Sequence, residues 1–213
     1  MLAIFTLFFL YIDLAIDTKD RVLLLSDGPA KVTILNDSSS IILDSIFHPT
    51  SLTAGLFSIW VASRSENLIQ KYSLRGEYLG SIIFDAKDLD ADRNGLLIAG
   101  EHSLLIELST GREIPIIWKK TNRCAIDEDY IYLCGDDTLY MIERANRSII
   151  NKEFIPDIRD LSIWGGELVY LQNDTIFMSD TSIFIQHARR LDANEERIWI
   201  LSDSVVSVSL ESK

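Results

Sequence analysis

A short apolar segment that ends in a polar turn recurs six times along this chain and constrains its fold more than any other feature. The copies follow one another at intervals of 30 to 37 residues and begin at Val22, Ile59, Leu96, Ile131, Leu168 and Ile198. A repeat of this length is typical of proteins built from stacked or radially arranged supersecondary units. We therefore predict a single repeat domain that spans all 213 residues, 1–213.

The fifth copy shows most plainly what one repeat contains. Runs rich in β-branched and aromatic residues fall at 159–163, 168–172, 175–179 and 183–187, separated by Gly, Asn, Asp and Ser. These runs lack helical periodicity and are bounded by turn-forming residues, which predicts β-strands. Four short strands in a repeat of about 35 to 40 residues are typical of one β-propeller blade.

The second and third repeats carry the most specific resemblance to known blades. Residues 59–82, IWVASRSENLIQKYSLRGEYLGSI, resemble an NHL-type or related six-bladed propeller blade. Residues 104–114, LLIELSTGREI, are similar to blades of the quinoprotein-like kind. A degenerate WD40-like repeat is a weaker match, because no copy carries the Gly-His and Trp-Asp pair. The resemblance implies an all-β, six-bladed β-propeller of four-stranded blades and implies no activity.

The two ends of the chain predict how the ring closes. The blades are expected at about 13–47, 48–84, 85–118, 119–155, 156–188 and 189–213. The last of these has room for three strands only, so residues 1–9 are predicted to pair into it as the missing outer strand, which would remove an open edge. The alternative is that the apolar residues 1–16 form a cleaved signal peptide. Asp13 and the absence of any preceding Lys or Arg disfavour that alternative.

Charge and cysteine content restrict the function classes. The chain has 20 Lys and Arg against 32 Asp and Glu, a net charge of −12. Such a surface repels phosphate backbones, so direct nucleic-acid binding is disfavoured and a protein partner with a basic surface is favoured. No segment is long and apolar enough to predict a membrane span. We expect an intracellular protein, cytoplasmic or nuclear, unless residues 1–16 are a signal peptide. Whether Cys124 and Cys134 form a disulfide stays open at this stage.

One position of the repeat is predicted to line the central channel. When the repeats are aligned on their apolar segments, this position starts each first strand and is followed by Leu in every copy except the fourth, which has Cys124. The six residues at this position are Asp13, Ser51, Asp88, Arg123, Asp160 and Arg190. They suit either a metal or polar-ligand site on the axis, or an ion-pair network that closes the channel. The two arginines favour the ion-pair network over a bound cation.

A second set of charged residues is predicted on the face that joins one blade to the next. The turns after the apolar segments carry the carboxylates Asp27, Glu66, Glu101, Asp136, Asp137, Asp174 and Asp203. The connections between blades carry the cations Lys87, Lys119, Lys120, Arg123, Arg159, Arg189 and Arg190. This pattern predicts an acidic rim around a more basic hub, suited to a charged protein partner, with Trp118 and Trp164 as candidate anchors. The alternative is that the carboxylates only satisfy tight turns.

No catalytic motif or cofactor-binding motif is found, so no catalytic residue, metal or cofactor is predicted and an enzymatic activity is disfavoured. Asp88 to Gly95 lacks the ligands of a calcium loop at the required positions, and Asn94-Gly95 predicts a hairpin turn instead. The leading hypothesis is a non-catalytic protein–protein interaction scaffold that is a subunit of a larger complex. The alternatives are a metal-dependent lactonase or hydrolase that uses Asp13, Asp88 and Asp160, and a secreted carbohydrate- or peptide-binding propeller.

Overall fold

The computed structural model describes residues 5–6, 11–27, 30–35, 40–43 and 46–209, and every regular element within these ranges is a β-strand. The strands, in chain order, are β1 (Phe5–Thr6), β2 (Tyr11–Ile16), β3 (Val22–Asp27), β4 (Ala30–Ile34), β5 (Ser40–Ile42), β6 (Ser51–Ala54), β7 (Ser58–Ser63), β8 (Leu68–Ser73), β9 (Tyr78–Ile83), β10 (Ala86–Ala91), β11 (Gly95–Gly100), β12 (Ser103–Glu107), β13 (Glu113–Ile117), β14 (Arg123–Ile126), β15 (Tyr130–Gly135), β16 (Thr138–Glu143), β17 (Ile149–Phe154), β18 (Ile158–Trp164), β19 (Glu167–Gln172), β20 (Thr175–Phe177), β21 (Ser182–Phe184), β22 (Arg190–Ala193), β23 (Arg197–Leu201) and β24 (Ser204–Ser209). None of the described residues belongs to a helix that could cross a bilayer.

These strands form six antiparallel sheets of four strands each, and the predicted six-bladed β-propeller is confirmed. Blades 1 to 5 contain β2–β5, β6–β9, β10–β13, β14–β17 and β18–β21, each in sequential order from the inside outwards. Blade 6 contains β22, β23 and β24, with β1 as its outer strand. The inner strands β2, β6, β10, β14, β18 and β22 each contact the inner strands of both neighbouring blades, which closes the ring around a central channel.

The outer strand of blade 6 comes from the opposite end of the chain. Phe5 pairs with Val205 and Thr6 pairs with Ser204 in an antiparallel register. The other residues of the segment predicted to close the ring, 1–4 and 7–9, lie outside the described residues. Closure over the whole of that segment therefore stays a prediction, supported by this two-residue pairing.

The apolar repeats are the second strands of the blades. In blades 1 to 4 nearly every residue of this strand is buried, because each face packs against a neighbouring blade, whereas in blades 5 and 6 the burial is partial. In β11, Leu97 and Ala99 pack in a cluster with Ile131 of blade 4, while Leu96 and Ile98 pack on the other side, towards blade 2. A strand that is covered on both faces favours a continuous apolar run over alternation. Complete burial of one such side chain stabilises the fold by roughly 1.5–3 kcal/mol.

The two cysteines lie on opposite faces of blade 4 and are free thiols. Cys124 pairs with Leu133 and Cys134 pairs with Arg123, so the register places the thiols one residue out of step. Since successive side chains of a strand point to opposite faces, Cys124 packs towards blade 3 and Cys134 towards blade 5. The structure thus answers the question that the sequence left open, in favour of two separate buried thiols.

The turn between β10 and β11 is the hairpin that Asn94-Gly95 predicted. The Asp92 carboxylate accepts hydrogen bonds from the backbone N–H of Asn94 at 2.8 Å and of Gly95 at 2.6 Å. Arg144 of blade 4 lies 2.5 Å from the same carboxylate. The face that carries these turns between first and second strands is called the bottom face below, and the opposite face, which carries the connections between blades, is called the top face.

Candidate functional site: the top face and the central channel

The inner strand of each blade has one edge that no other described strand pairs with, and this edge faces the channel. Its backbone N–H groups need acceptors because the channel wall is buried. The predicted axial position supplies them, and its six residues are called the upper ring: Asp13, Ser51, Asp88, Arg123, Asp160 and Arg190. Asp13 accepts the N–H of Leu52 at 2.7 Å, and the Ser51 hydroxyl accepts the N–H of Leu89 at 3.1 Å.

The same arrangement continues around the ring. Asp88 accepts the N–H of Cys124 at 3.1 Å, and Asp160 accepts the N–H of Leu191 at 2.8 Å. In each case the acceptor belongs to one blade and the donor to the next blade. The upper ring therefore joins successive blades through side-chain to backbone hydrogen bonds.

The two arginines of the upper ring complete the remaining junctions. Arg123 donates from Nε to the carbonyl oxygen of Arg159 in blade 5 and lies 3.6 Å from Asp160 Oδ1. Arg190 lies 3.2 Å from Asp13 Oδ1 and 3.9 Å from Asp160 Oδ1, so it joins blade 6 to blade 1. The sequence allowed either an axial ligand site or an ion-pair network at these positions. The described side chains of the upper ring form ion pairs. No three Asp, Glu, His or Cys side chains among the described residues are placed to hold a metal ion.

Burial dominates the electrostatics of these carboxylates. Desolvation raises the pKa of Asp13 to about 6, although the Arg190 guanidinium and the N–H donors of Leu52 and Leu14 act to lower it. Desolvation likewise raises the pKa of Asp160 against the attraction of Arg190 and Arg123. The carboxylates serve the inner strands as hydrogen-bond acceptors at a substantial desolvation cost.

A second ring lies one pleat deeper in the channel and was not predicted from the sequence. Its six positions, called the lower ring, are Ala15, Thr53, Asp90, Ala125, Ser162 and Asp192. Asp90 accepts the N–H of Ile126 at 2.8 Å, and Asp192 accepts the N–H of Ile16 at 2.7 Å. The signal that could have revealed it is the polar–apolar–polar alternation at 88–90, 160–162 and 190–192, since residues two apart share one face of a strand.

The lower ring contains carboxylates but no cation. Desolvation, then repulsion by Asp192, raises the pKa of Asp90 well above its usual range. Desolvation also raises the pKa of Asp192 to about 6, while the Ser162 hydroxyl, which donates to it at 2.8 Å, acts to lower it. A cavity of about 20 Å³ between the two rings has room for a single water molecule.

Above the upper ring the channel opens into a funnel of about 1060 Å³ on the top face. Among the described residues, six cations line this funnel and are called the basic hub: Arg64, Lys87, Lys120, Arg123, Arg159 and Arg190. Asp27 and Asp136 of the predicted rim line it too, together with Asp157. The prediction had placed all of these cations except Arg64 in the connections between blades. Only Lys120 lies in one: Arg64 lies in the β7–β8 turn, and the other four lie near the start of the inner strands β10, β14, β18 and β22.

Two further rim carboxylates form ion pairs with cations of the basic hub. Glu101 Oε1 lies 3.7 Å from Lys87 Nζ and 3.5 Å from Lys120 Nζ. Asp174 lies 3.6 Å from Arg159. Burial, followed by repulsion from Lys120, lowers the pKa of Lys87 despite the attraction of Glu101.

The other rim residues satisfy turns and connections. Asp203 lies 2.6 Å from His187, and its hydrogen bond and charge raise the pKa of that imidazole. Glu66 accepts the N–H of Phe47 at 2.8 Å, and Asp137 accepts the N–H of Asp157 at 3.2 Å. The local turn role that the sequence left as an alternative therefore coexists with the charged rim.

The outermost predicted residues do not all lie together. Lys119 is exposed and places its ammonium 5.8 Å from the centre of the Tyr140 ring, while Arg189 donates to the carbonyl oxygen of Ser202 at 2.7 Å. Trp118 is 77% exposed on the top face. Trp164 ends β18 at the bottom face and packs against an apolar cluster, so the structure does not bring it to the same surface as Trp118.

The chain is similar to known proteins in its fold, but it matches no family. No family model matches the chain, and no curated protein matches it in sequence. Among solved structures, it is similar to virginiamycin B lyase from Staphylococcus aureus, with a TM-score of 0.68, 14% identity, and coverage of 92% of this chain and 79% of the other. It is also similar to the WD40 domain of Neurospora crassa Pan2, with a TM-score of 0.64, 14% identity, and coverage of 91% and 73%.

A third similar structure is PorZ, a component of the type-IX secretion system of Porphyromonas gingivalis. The TM-score is 0.66 at 13% identity, over 98% of this chain and 38% of PorZ. Identities this low support a shared architecture and nothing about activity. The chain is thus a six-bladed β-propeller whose fold is shared by a lyase, a WD40 domain and a secretion component.

Proposed function

We propose that this propeller is a non-catalytic interaction module, a subunit of a larger complex, which binds a protein partner on its top face. The observation that carries the proposal is the funnel of about 1060 Å³, lined by the basic hub and bordered by carboxylates. Clusters of opposite charge in one concave surface favour a partner of complementary pattern and penalise others.

The axial carboxylates support this proposal over the lactonase alternative. Asp13, Asp88 and Asp160 each accept a backbone N–H from the next blade, and two of them also face guanidiniums. Their oxygens are engaged in holding the ring together. The fold similarity to a WD40 domain agrees with an interaction role.

The blade connections also suit a binding face. The connection from β9 to β10 contains only residues 84–85, and that from β17 to β18 only 155–157. Connections this short leave the funnel open and present their side chains on a rigid scaffold. An open, rigid, charged surface favours recognition of a folded or extended protein partner over enclosure of a small substrate.

The test is affinity capture from the native source with a charge-reversed hub. We expect the Lys120→Glu/Arg159→Glu variant to lose a partner that the wild-type protein retains. The matched control is Arg112→Glu/Arg147→Glu, which makes the same charge change at exposed turns of the bottom face. Equal recovery of every interacting protein by both variants and the wild type would rule out a top-face partner.

A further inference from the structure

Three neighbouring elements of the top face each contribute one aromatic ring. Phe84 comes from the β9–β10 connection, His102 from the β11–β12 turn, and Trp118 from the β13–β14 connection. The Phe84 and His102 rings meet edge to face with centroids 5.0 Å apart, and the His102 and Trp118 rings stack at 5.3 Å. These three residues are called the aromatic corner.

The outer side of the aromatic corner is open. Trp118 is 77% exposed, while Phe84 and His102 are half-buried. Stacking on His102 holds the indole in place, so a ligand that covers it loses little additional side-chain entropy on binding. Exposed aromatic surface held in a fixed orientation is characteristic of interface anchors.

Charged residues lie next to the aromatic corner: Glu101 in the β11–β12 turn, Lys120 in the β13–β14 connection and Lys87 in β10. Both lysines line the funnel. Lys87 and Lys120 both approach the single carboxylate of Glu101, at 3.7 Å and 3.5 Å. The side chain of Lys87 is only 8% exposed. Two ammonium groups that share one carboxylate, one of them nearly buried, leave an excess of positive charge in a partly desolvated place. A further carboxylate would be stabilised there.

The aromatic corner and the lysine pair lie close together along the chain. Trp118 and Lys120 are two residues apart, so their Cα atoms are separated by no more than about 7 Å. His102 directly follows Glu101. A short extended segment can therefore reach the exposed indole and the lysine pair at once.

We propose that this surface binds an extended segment of a partner protein in which an apolar side chain is followed, two or three residues later, by a carboxylate. The apolar side chain covers Trp118 and Phe84, and the carboxylate enters between Lys87 and Lys120. Charge complementarity selects an acidic segment, because a basic one would face the lysine pair. This inference rests on the proposed function, since it specifies the partner of the top face.

Synthetic peptides test it directly. The probes are fluorescein-labelled peptides with one central Phe or Leu and Glu at the second and third following positions. Two matched sets replace both Glu with Gln, or the apolar residue with Ser. In fluorescence anisotropy, we expect the acidic apolar probes to bind at least about ten-fold more tightly than either matched set.

Variants locate the site. Trp118→Ala should weaken binding about ten-fold or more, and Lys120→Gln about three- to ten-fold, with a smaller loss at high salt. Phe57→Ala and Arg112→Gln are the controls, because these exposed residues lie in bottom-face turns, and both should bind as the wild type. The proposal is wrong if the Gln-substituted peptides bind equally well, if no acidic apolar probe binds, or if Trp118→Ala leaves binding unchanged.

The outcome separates this inference from the proposed function. If the Trp118→Ala and Lys120→Gln variants still capture the partner from the native source while Arg159→Glu does not, the top face binds its partner elsewhere and only the inference fails. If all three variants capture as the wild type does, both proposals fail. Loss of the partner in Trp118→Ala, together with acidic-peptide binding, supports both.

Discussion

The upper and lower rings of the channel both supply hydrogen-bond acceptors to the inner strands, but only the upper ring contains arginines. In the upper ring, Arg190 lies close to Asp13 and Asp160. In the lower ring, Asp90 and Asp192 face backbone N–H groups and the Ser162 hydroxyl. The two rings thus perform one structural task in two electrostatic settings.

Comparison of the two rings indicates the role of their carboxylates. Burial raises the pKa of Asp13 in the upper ring and of Asp192 in the lower ring to about 6 in each case, so neither setting repays the full cost of a buried charge. Their common property is an oxygen aimed at an edge N–H of the next blade. Hydrogen bonding across blade boundaries, rather than charge itself, explains why Asp and Ser occupy most of these positions.

The largest expected effect comes from removing the cation of the upper ring. Arg190→Met leaves Asp13 and Asp160 buried without this guanidinium, so we expect a loss of about 3–5 kcal/mol in the free energy of unfolding at pH 7.5. Chemical denaturation measures it. At pH 5 the loss should be smaller, because the carboxylates then bind protons. The exposed control Arg112→Met should change stability by no more than about 0.5 kcal/mol; a comparable cost for both would show that the upper ring needs no cation.

The next largest effect is the pH dependence of stability that Asp192 of the lower ring produces. Because the pKa of Asp192 is about 6 in the folded protein and near 3.8 when unfolded, the folded state binds more protons between these values. Stability contributed by the neutral acid is therefore lost as pH rises from about 4 to about 7. Asp192→Asn cannot ionise, so it should reduce that loss by roughly 3 kcal/mol relative to the wild type.

Thermal unfolding at several pH values measures this dependence. The control is Asp27→Asn at the exposed rim, which should follow the wild-type curve. A wild type whose stability rises with pH between 4 and 7, to the same extent as Asp192→Asn, would contradict the assignment. Such a result would mean that the lower ring is ionised at little cost.

The smallest effect compares two serines with the same role in the two rings. Ser51 donates to Asp88 and accepts the N–H of Leu89, and Ser162 donates to Asp192 and accepts the N–H of Ala193. The N–H of Ala193 also has the carboxylate of Asp192 at 2.8 Å as an acceptor.

Ser51→Ala should therefore cost about 1–3 kcal/mol, through an unpaired buried donor, and Ser162→Ala less. Urea denaturation of both variants under one set of conditions provides the comparison. A larger loss for Ser162→Ala would mean that the lower ring contributes more to closure than its hydrogen bonds indicate.

The sequence predicted the strands and the upper ring, but not the lower ring or the face on which Trp164 lies. The strand positions and the upper ring could be predicted because each follows from a local pattern repeated six times, such as a polar residue before Leu at the start of an inner strand. The lower ring was missed because two of its positions are alanines, so the pattern is incomplete. Trp164 was grouped with Trp118 although its turn joins a first strand to a second strand, and such turns lie on the face opposite to the blade connections.

By itself, the sequence determined a closed ring of four-stranded blades, since apolar runs at a fixed interval can be buried only against their neighbours. It also indicated the residues of the upper ring, but not those of the lower ring. The tertiary structure alone decided which groups meet: Asp13 with Leu52, Arg190 with Asp13, and Phe84 with His102 and Trp118. These contacts cross blade boundaries, so they depend on the twist and spacing of separate sheets, which no local pattern of residues specifies.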